Sequence, residues 1–213
     1  MTFNVLTAFP NFYTSFFETS LIKKAIESKV LNFNIIDFKD FGLGKFKKID
    51  DTPYGGGPGM VIRVDIVDKA LNTLDNKGYT VLLAPSGKRL TQSKVQELAK
   101  HENITLICGR YEGFDYRVTS LVDEVISVGD FITMGGEAPS LILIESISRL
   151  KKDVIGDIQS TVEESHSDKY ESEPPIYTRP EVYKDLSVPK VLLSGNHKEI
   201  EVWKNKNGKL RNT

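Results

Sequence analysis

Hydrophobic positions follow two different periods along the first two thirds of this chain. Residues 3–8 read as a buried strand. Residues 33–38 set Phe33, Ile35 and Ile36 among polar neighbours, which predicts a strand. Between them, residues 14–28 carry Phe16, Phe17, Ile22 and Ile26 near helical spacing. Further on, residues 65–74 read as a helix, 80–84 as a strand, 91–100 as a helix, and 104–108 and 124–128 as strands. Residues 139–150 read as an apolar helix with Leu141, Ile144 and Ile147 on its inner side. Thr91 is placed to cap its helix, with Val95, Leu98 and Ala99 on one face. Strands alternating with helices predict an α/β domain, a mostly parallel sheet with helices on both faces.

Beyond residue 150 the pattern fades. Residues 157–173 are polar, acidic and poor in apolar side chains, and read as a mobile linker. Residues 190–193 are a short apolar run, and 195–206 suit one helix with Ile200 and Trp203 inward. A tail this small lacks a core of its own and is expected to dock on something. The expected organisation is a domain over 1–156, an acidic linker over 157–173 and a small helical region over 174–213.

Composition narrows the class. The 213 residues hold one cysteine, Cys108, which excludes an internal disulfide and fits a reducing cytoplasm. His101, His166 and His197 are scattered, so no metal-ligand spacing is visible. No apolar run is long enough to span a membrane, and no secretory signal precedes residue 12. With 28 basic and 29 acidic residues the net charge is −1, which argues against coating nucleic acid by bulk charge. The charge is segregated, however. Residues 196–213 hold five Lys/Arg against two Glu, and residues 153–173 hold seven acids against one Lys. Two solvated segments would look the same.

Candidate chemistry sits in the glycine-rich stretches. Tyr54-Gly-Gly-Gly-Pro-Gly-Met60 places four glycines in five positions, whose ordering costs entropy. Such a loop suits close backbone approach to a ligand; the alternative is a plain flexible connection. It is neither a P-loop nor a dinucleotide fingerprint, since no Gly-Lys-Ser/Thr follows and no strand leads into it. Three further stretches follow strand-like runs: Ala84-Pro-Ser-Gly-Lys88, Gly109-Arg-Tyr-Glu-Gly113 and residues 129–136. In parallel sheets, ligands bind beyond the carboxyl ends of the strands. Each stretch alone is an ordinary turn; together they predict one binding site. Cys108 and Trp203 read as packing residues. Arg149 suits either a solvated helix C-terminus or an active site.

Taken in order, Asp50-Asp-Thr-Pro-Tyr-Gly-Gly-Gly-Pro-Gly-Met60, Ala84-Pro-Ser-Gly-Lys88, Gly109-Arg-Tyr-Glu-Gly113, residues 129–139 and Tyr177-Thr-Arg-Pro180 resemble the tRNA (guanine-N1)-methyltransferase family, TrmD, from Phe9-Pro10 to Ser194-Gly195. The resemblance implies a SPOUT-type sheet threaded into a deep trefoil knot, and a homodimer with sites at the subunit interface. It implies S-adenosylmethionine held by Pro85, Gly87, Gly109, Tyr111, Glu112, Gly113, Val128, Gly129, Asp130, Phe131, Ile132, Thr133, Gly135, Gly136 and Pro139. It places Asp50, Tyr54, Gly55, Gly56, Gly57, Pro58 and Gly59 beside the target base, guanosine 37 of tRNA, next to the anticodon. Magnesium dependence is also implied, although no ligand set for it is visible.

Methylation at N1 needs a base for the N1 proton and a cation near O6. By resemblance the cation is Arg149. The family's basic aspartate falls on Glu164 counting forward from Arg149 and on Ser165 counting back from Tyr177. A serine does not take the proton, so the one-residue insertion is set after Lys169 and Glu164 is the expected base. Asp168 is the second candidate and His166 the third. Lys204, Lys206, Lys209 and Arg211 are expected to help hold tRNA. Two other readings remain open: a donor- and tRNA-binding module with weak catalysis, and a knotted methyltransferase with another RNA target.

Overall fold

A computed structural model describes residues 1–155 and 164–211. Its contacts separate into two compact units, Met1–Gly156 and Asp157–Thr213. The strands of the first unit are β1 (Thr2–Thr7), β2 (Asn32–Asp37), the short β3 (Asp50–Asp51) and β4 (Val61–Ile62), β5 (Tyr79–Arg89), β6 (Asn103–Cys108) and β7 (Glu124–Ser127). Its helices are α1 (Thr14–Phe17), α2 (Ser20–Glu27), α3 (Val64–Leu71), α4 (Gln92–Leu98) and α5 (Glu137–Ser148).

Five strands form one sheet in the order β2-β1-β6-β5-β7, with every neighbouring pair parallel. Side chains alternate between its faces. On one face Val5, Val81 and Leu106 meet Ala25 of α2, Val95 and Leu98 of α4, and Leu143, Ile144 and Ile147 of α5. On the other, Leu6, Leu82 and Ile107 meet Ile66, Val67, Ala70 and Leu71 of α3. The expected α/β architecture, with helices on both faces of a parallel sheet, is therefore present. Burying each Val, Leu or Ile among them contributes about 1.5–3 kcal/mol.

Boundaries differ from the sequence reading at informative places. The helix expected over 14–28 is two helices. Thr19 takes an extended conformation as the cap of α2, Ser20 has φ 40°, and the Thr19 hydroxyl donates to the Ser15 carbonyl at 2.6 Å. The break lets Tyr13 and Ile22 both reach the core. The helix expected over 139–150 starts two residues earlier and buries Glu137 in its first turn. The Thr91 cap is as expected, accepting from the Lys94 amide at 3.3 Å.

The second unit holds β8 (Tyr170–Ser172), β9 (Val182–Tyr183), β10 (Leu186–Ser187), α6 (Lys190–Leu193), α7 (His197–Asn207) and β11 (Lys209–Leu210). Asn196 caps α7 by accepting from the Lys198 and Glu199 amides. Trp203 is half-buried against Tyr177, with ring centroids 6.2 Å apart. Of the segment read as a linker, 157–163 lie outside the described residues. Residues 164–173 are not plain linker. Tyr170 is buried there, and β8 pairs antiparallel with β11. Tyr170 faces inward while its acidic neighbour Glu171 is exposed and pairs with Lys209 at 2.7 Å. Among the described residues no helix is long and apolar enough to cross a membrane.

Leu106 lies at the centre of the sheet. Leu106→Ala is expected to lower the unfolding free energy by about 2–5 kcal/mol in a urea titration. Phe46→Ser, on an exposed hairpin, is expected to change it by no more than about 0.5 kcal/mol.

Candidate active site

Residues 82–86 within β5 and the carboxyl ends of β6 and β7 open into a cavity of about 450 Å³, within the range of small-molecule sites. Strand β5 does not end where the sequence suggested. Leu83 and Lys88 both pair with Ile126 of β7, so residues 84–87 bulge out of a continuing strand. Gly87 is fixed by backbone contact, because a Cβ there would lie 2.6 Å from the Ile126 N and C atoms. The bulge carries Pro85 to the cavity wall. Residues 109–116 supply a second side, and residues 131–136 with Pro139 a third.

Of the residues expected to hold a methyl donor, Pro85, Gly109, Tyr111, Glu112, Gly113, Val128, Phe131, Ile132, Thr133, Gly135, Gly136 and Pro139 line this cavity. Gly87, Gly129 and Asp130 are not in its wall. Gly87 packs on β7, the Gly129 carbonyl accepts from the Ser127 hydroxyl at 3.0 Å, and the Asp130 carboxylate pairs with Arg89.

A buried polar network fastens the loops together. Glu137 has no exposed surface. Its carboxylate lies 2.8 Å from Nε of Arg110 and accepts from the Thr7 hydroxyl at 2.7 Å. Thr7 in turn accepts from the Phe9 amide at 3.0 Å. The Arg110 guanidinium sits 4.4 Å from the centre of the Phe9 ring and donates to the Met134 carbonyl at 3.4 Å. The Gly136 amide donates to the Gly109 carbonyl at 2.8 Å, and a Cβ on Gly136 would come within 2.7 Å of the Cys108 Cα. The ends of β1 and β6, the loop after β7 and the start of α5 are thus pinned at one place. Beside it, the Tyr13 hydroxyl lies 2.7 Å from Ser140 Oγ and 3.4 Å from Cys108 Sγ. Burial pushes the Cys108 thiol up to about 12 and raises Tyr13 as well. Cys108 is a thiol at neutral pH and a packing residue, not a nucleophile.

The loop over 54–59 lies on the same rim. Gly55, Gly56, Gly57 and Gly59 all have positive φ, between 80° and 120°, which side-chain-bearing residues rarely adopt. The Glu112 amide donates to the Met60 carbonyl at 3.0 Å, and a Cβ on Gly59 would lie 2.5 Å from Glu112 Cγ. Asp50 stands opposite Ile62 in the β3–β4 pair, and the Ile62 amide donates to Gly113 at 2.9 Å. Tyr54 is fully exposed, and Pro58 is exposed with it.

Arg149 caps the end of α5 in the first unit, its amide donating to the Glu145 carbonyl at 3.1 Å. Glu164 belongs to the second unit, where its carbonyl accepts from the Ser167 amide at 3.2 Å. Asp168 and His166 are exposed in the same turn. Glu163 lies outside the described residues. No group of three or more His, Cys, Asp or Glu side chains converges as a metal cage among the described residues. The magnesium implied by the resemblance therefore finds no ligand set in them, and no step is assigned to it. Sequence reasoning missed the Thr7–Glu137–Arg110 network. Its signal was a lone Glu directly after Gly135-Gly136 at the head of an apolar helix.

Over residues 1–213 the sequence matches the family model described as tRNA (Guanine-1)-methyltransferase TrmD. Proteins named tRNA (guanine-N(1)-)-methyltransferase are similar along nearly its whole length. That of Mycoplasmopsis agalactiae is 48% identical over 221 aligned positions, covering 100% of this chain and 93% of the relative. That of Mycoplasmopsis synoviae is 47% identical, covering 96% and 90%. That of Thermus thermophilus is 45% identical, covering 96% and 85%. The chain belongs to the tRNA (guanine-1)-methyltransferase family.

Removing one member of a buried ion pair leaves the other uncompensated. Glu137→Ala is expected to cost about 3–5 kcal/mol of stability in chemical denaturation. Thr7→Val, which removes the hydrogen bonds to the Glu137 carboxylate and from the Phe9 amide, is expected to cost about 1–3 kcal/mol.

Proposed function

We propose, from membership of this family, that the chain transfers a methyl group from S-adenosylmethionine to N1 of guanosine 37 in tRNA, beside the anticodon. The observation that carries this reading is the shared rim. A cavity of about 450 Å³ at three strand ends is joined, through Glu112, to a glycine loop with open surface beside it.

The cavity suits the donor. Its walls combine apolar side chains, such as Pro85, Val128 and Ile132, with the backbone of residues 109–113 and 133–136. Apolar walls accept a purine ring, and backbone N–H and C=O groups read its edge. S-adenosylmethionine supplies an electrophilic methyl group on a sulfonium centre. Pro85, Tyr111 and residues 128–136 hold it, and the 54–59 loop with Asp50 presents the guanine. Because glycines lack side chains, that loop's backbone can approach a base taken out of its stack.

N1 of guanine carries a proton and is a weak nucleophile until it is removed. The Glu164 carboxylate takes that proton as general base. The Arg149 guanidinium bears on O6, where negative charge accumulates as N1 is deprotonated. Placing both reactants in line removes much of the entropic barrier. The knotted SPOUT arrangement, and a homodimer in which each site draws on both chains, belong to the same reading. Lys204, Lys206, Lys209 and Arg211 then contribute to holding tRNA.

Single-turnover transfer to an unmodified tRNA transcript, with the methylated nucleotide mapped, tests the reading. Product at any site other than N1 of guanosine 37 would contradict the substrate. Glu164→Gln and Arg149→Ala are each expected to slow transfer by about a hundred- to a thousand-fold while S-adenosylhomocysteine still binds. A silent Glu164→Gln with an inactive Asp168→Asn would move the base to Asp168. Donor binding with no transfer by the wild-type chain would favour the binding-module reading.

A further inference from the structure

A second groove, of about 430 Å³, shares Tyr111 with the cavity, and apart from Tyr111 and Asp50 the mechanism above uses none of its residues. It is built on a tight hairpin. Leu43 and Lys48 exchange both backbone hydrogen bonds, at 2.9 and 3.0 Å. Gly42 lies so close to Lys47 that a Cβ there would sit 2.2 Å from the Lys47 carbonyl oxygen. At the tip, Phe46 is 91% exposed. Lys39, Lys45, Lys47 and Lys48 all line the groove, against a single carboxylate, Asp50.

Fold stability does not account for these residues. A phenyl ring in water contributes no burial energy. Lys47 pairs with Asp40 at 3.4 Å and Lys48 with Asp51 at 2.9 Å, but all four side chains are at least 45% exposed, and such surface pairs contribute little. What the pairs do is limit where two ammonium groups point. The Lys48 contact also holds the Asp51 carboxyl below the usual carboxylate range. Several directed cations around an exposed aromatic face match single-stranded nucleic acid, with phosphates on the ammonium groups and a base stacked on the ring. Tyr111 lines both this groove and the cavity. A strand lying in the groove therefore arrives at the mouth of the donor pocket.

We propose that the groove walled by Lys39, Lys45, Phe46, Lys47 and Lys48 docks the single-stranded RNA flanking the target base, with a base stacked on Phe46. This rests on the reading of the substrate as RNA. It adds a surface to the basic C-terminal residues, from which sequence reasoning expected tRNA binding.

The test is equilibrium binding of an unmodified tRNA transcript across a salt series, with S-adenosylhomocysteine titrated into each variant as a control on the neighbouring pocket. Phe46→Ala is expected to weaken tRNA binding about tenfold with the salt slope unchanged. Lys45→Ala/Lys47→Ala is expected to flatten the slope of log K against log salt by about 1.4, two single-strand phosphate contacts. Both variants should bind S-adenosylhomocysteine like the wild type. Wild-type affinity and slope in both variants would overturn the proposal, as would absence of tRNA binding by the wild type. A flattened slope with Phe46→Ala silent would mean a surface for any polyanion and would overturn the stacking. If the variants lose tRNA binding as expected but the wild type transfers no methyl group, the docking surface stands and the catalytic reading fails.

Discussion

A carboxylate with no exposed surface has lost its water, and the protein must supply partners or bear a cost of several kcal/mol. Glu137 is in that position, and the cavity wall depends on how the chain answers it. Its partners come from far along the sequence: Thr7 at the end of β1 and Arg110 just after β6. For Arg110 to reach it, the turn after β6 must lie against the start of α5. That contact is possible because residue 136 is glycine, sitting on the Cys108 backbone. The ion pair thus fixes the spacing of the two loops that form most of the cavity wall. Catalytic sites need such spacing held closely, and groups locked by their own buried partners provide it.

The bulge in β5 acts similarly on the third wall. A strand that continued regularly past Leu83 would stay in the sheet. Pairing both Leu83 and Lys88 with Ile126 expels four residues and turns Pro85 to the cavity. The parallel sheet supplies the remaining condition, since all its strand ends lie on one edge. Two irregularities in an otherwise regular α/β core, one electrostatic and one in register, make a pocket out of three turns.

Much of this was legible in the sequence, for reasons that also mark where reading stops. Strands and helices with a clear period, such as residues 104–108 and the helix capped by Thr91, follow from local pattern. The glycine stretches at strand ends announced a site because a parallel sheet gathers them. The break between α1 and α2 was hidden, since the apolar spacing runs through it and only the backbone at Thr19 and Ser20 departs from helix. The Glu137 network was hidden because its members are 27 to 130 residues apart. The basic groove was hidden because over residues 39–51 Asp40, Asp50 and Asp51 offset three of the four lysines, whereas the groove is lined by all four lysines and by Asp50 alone of the acids. The roles proposed for Arg149 and Glu164 rest on resemblance alone; nothing in local pattern distinguishes Glu164 from the acids around it.

We propose that the pocket at the β5 bulge and the ends of β6 and β7, braced by Glu137, is where the methyl donor binds. A crystal structure of the chain with S-adenosylmethionine tests it most directly. The expected result is density for the adenosyl group against Pro85, Tyr111 and residues 131–136. Density for the donor elsewhere, with this pocket filled only by solvent, would contradict it.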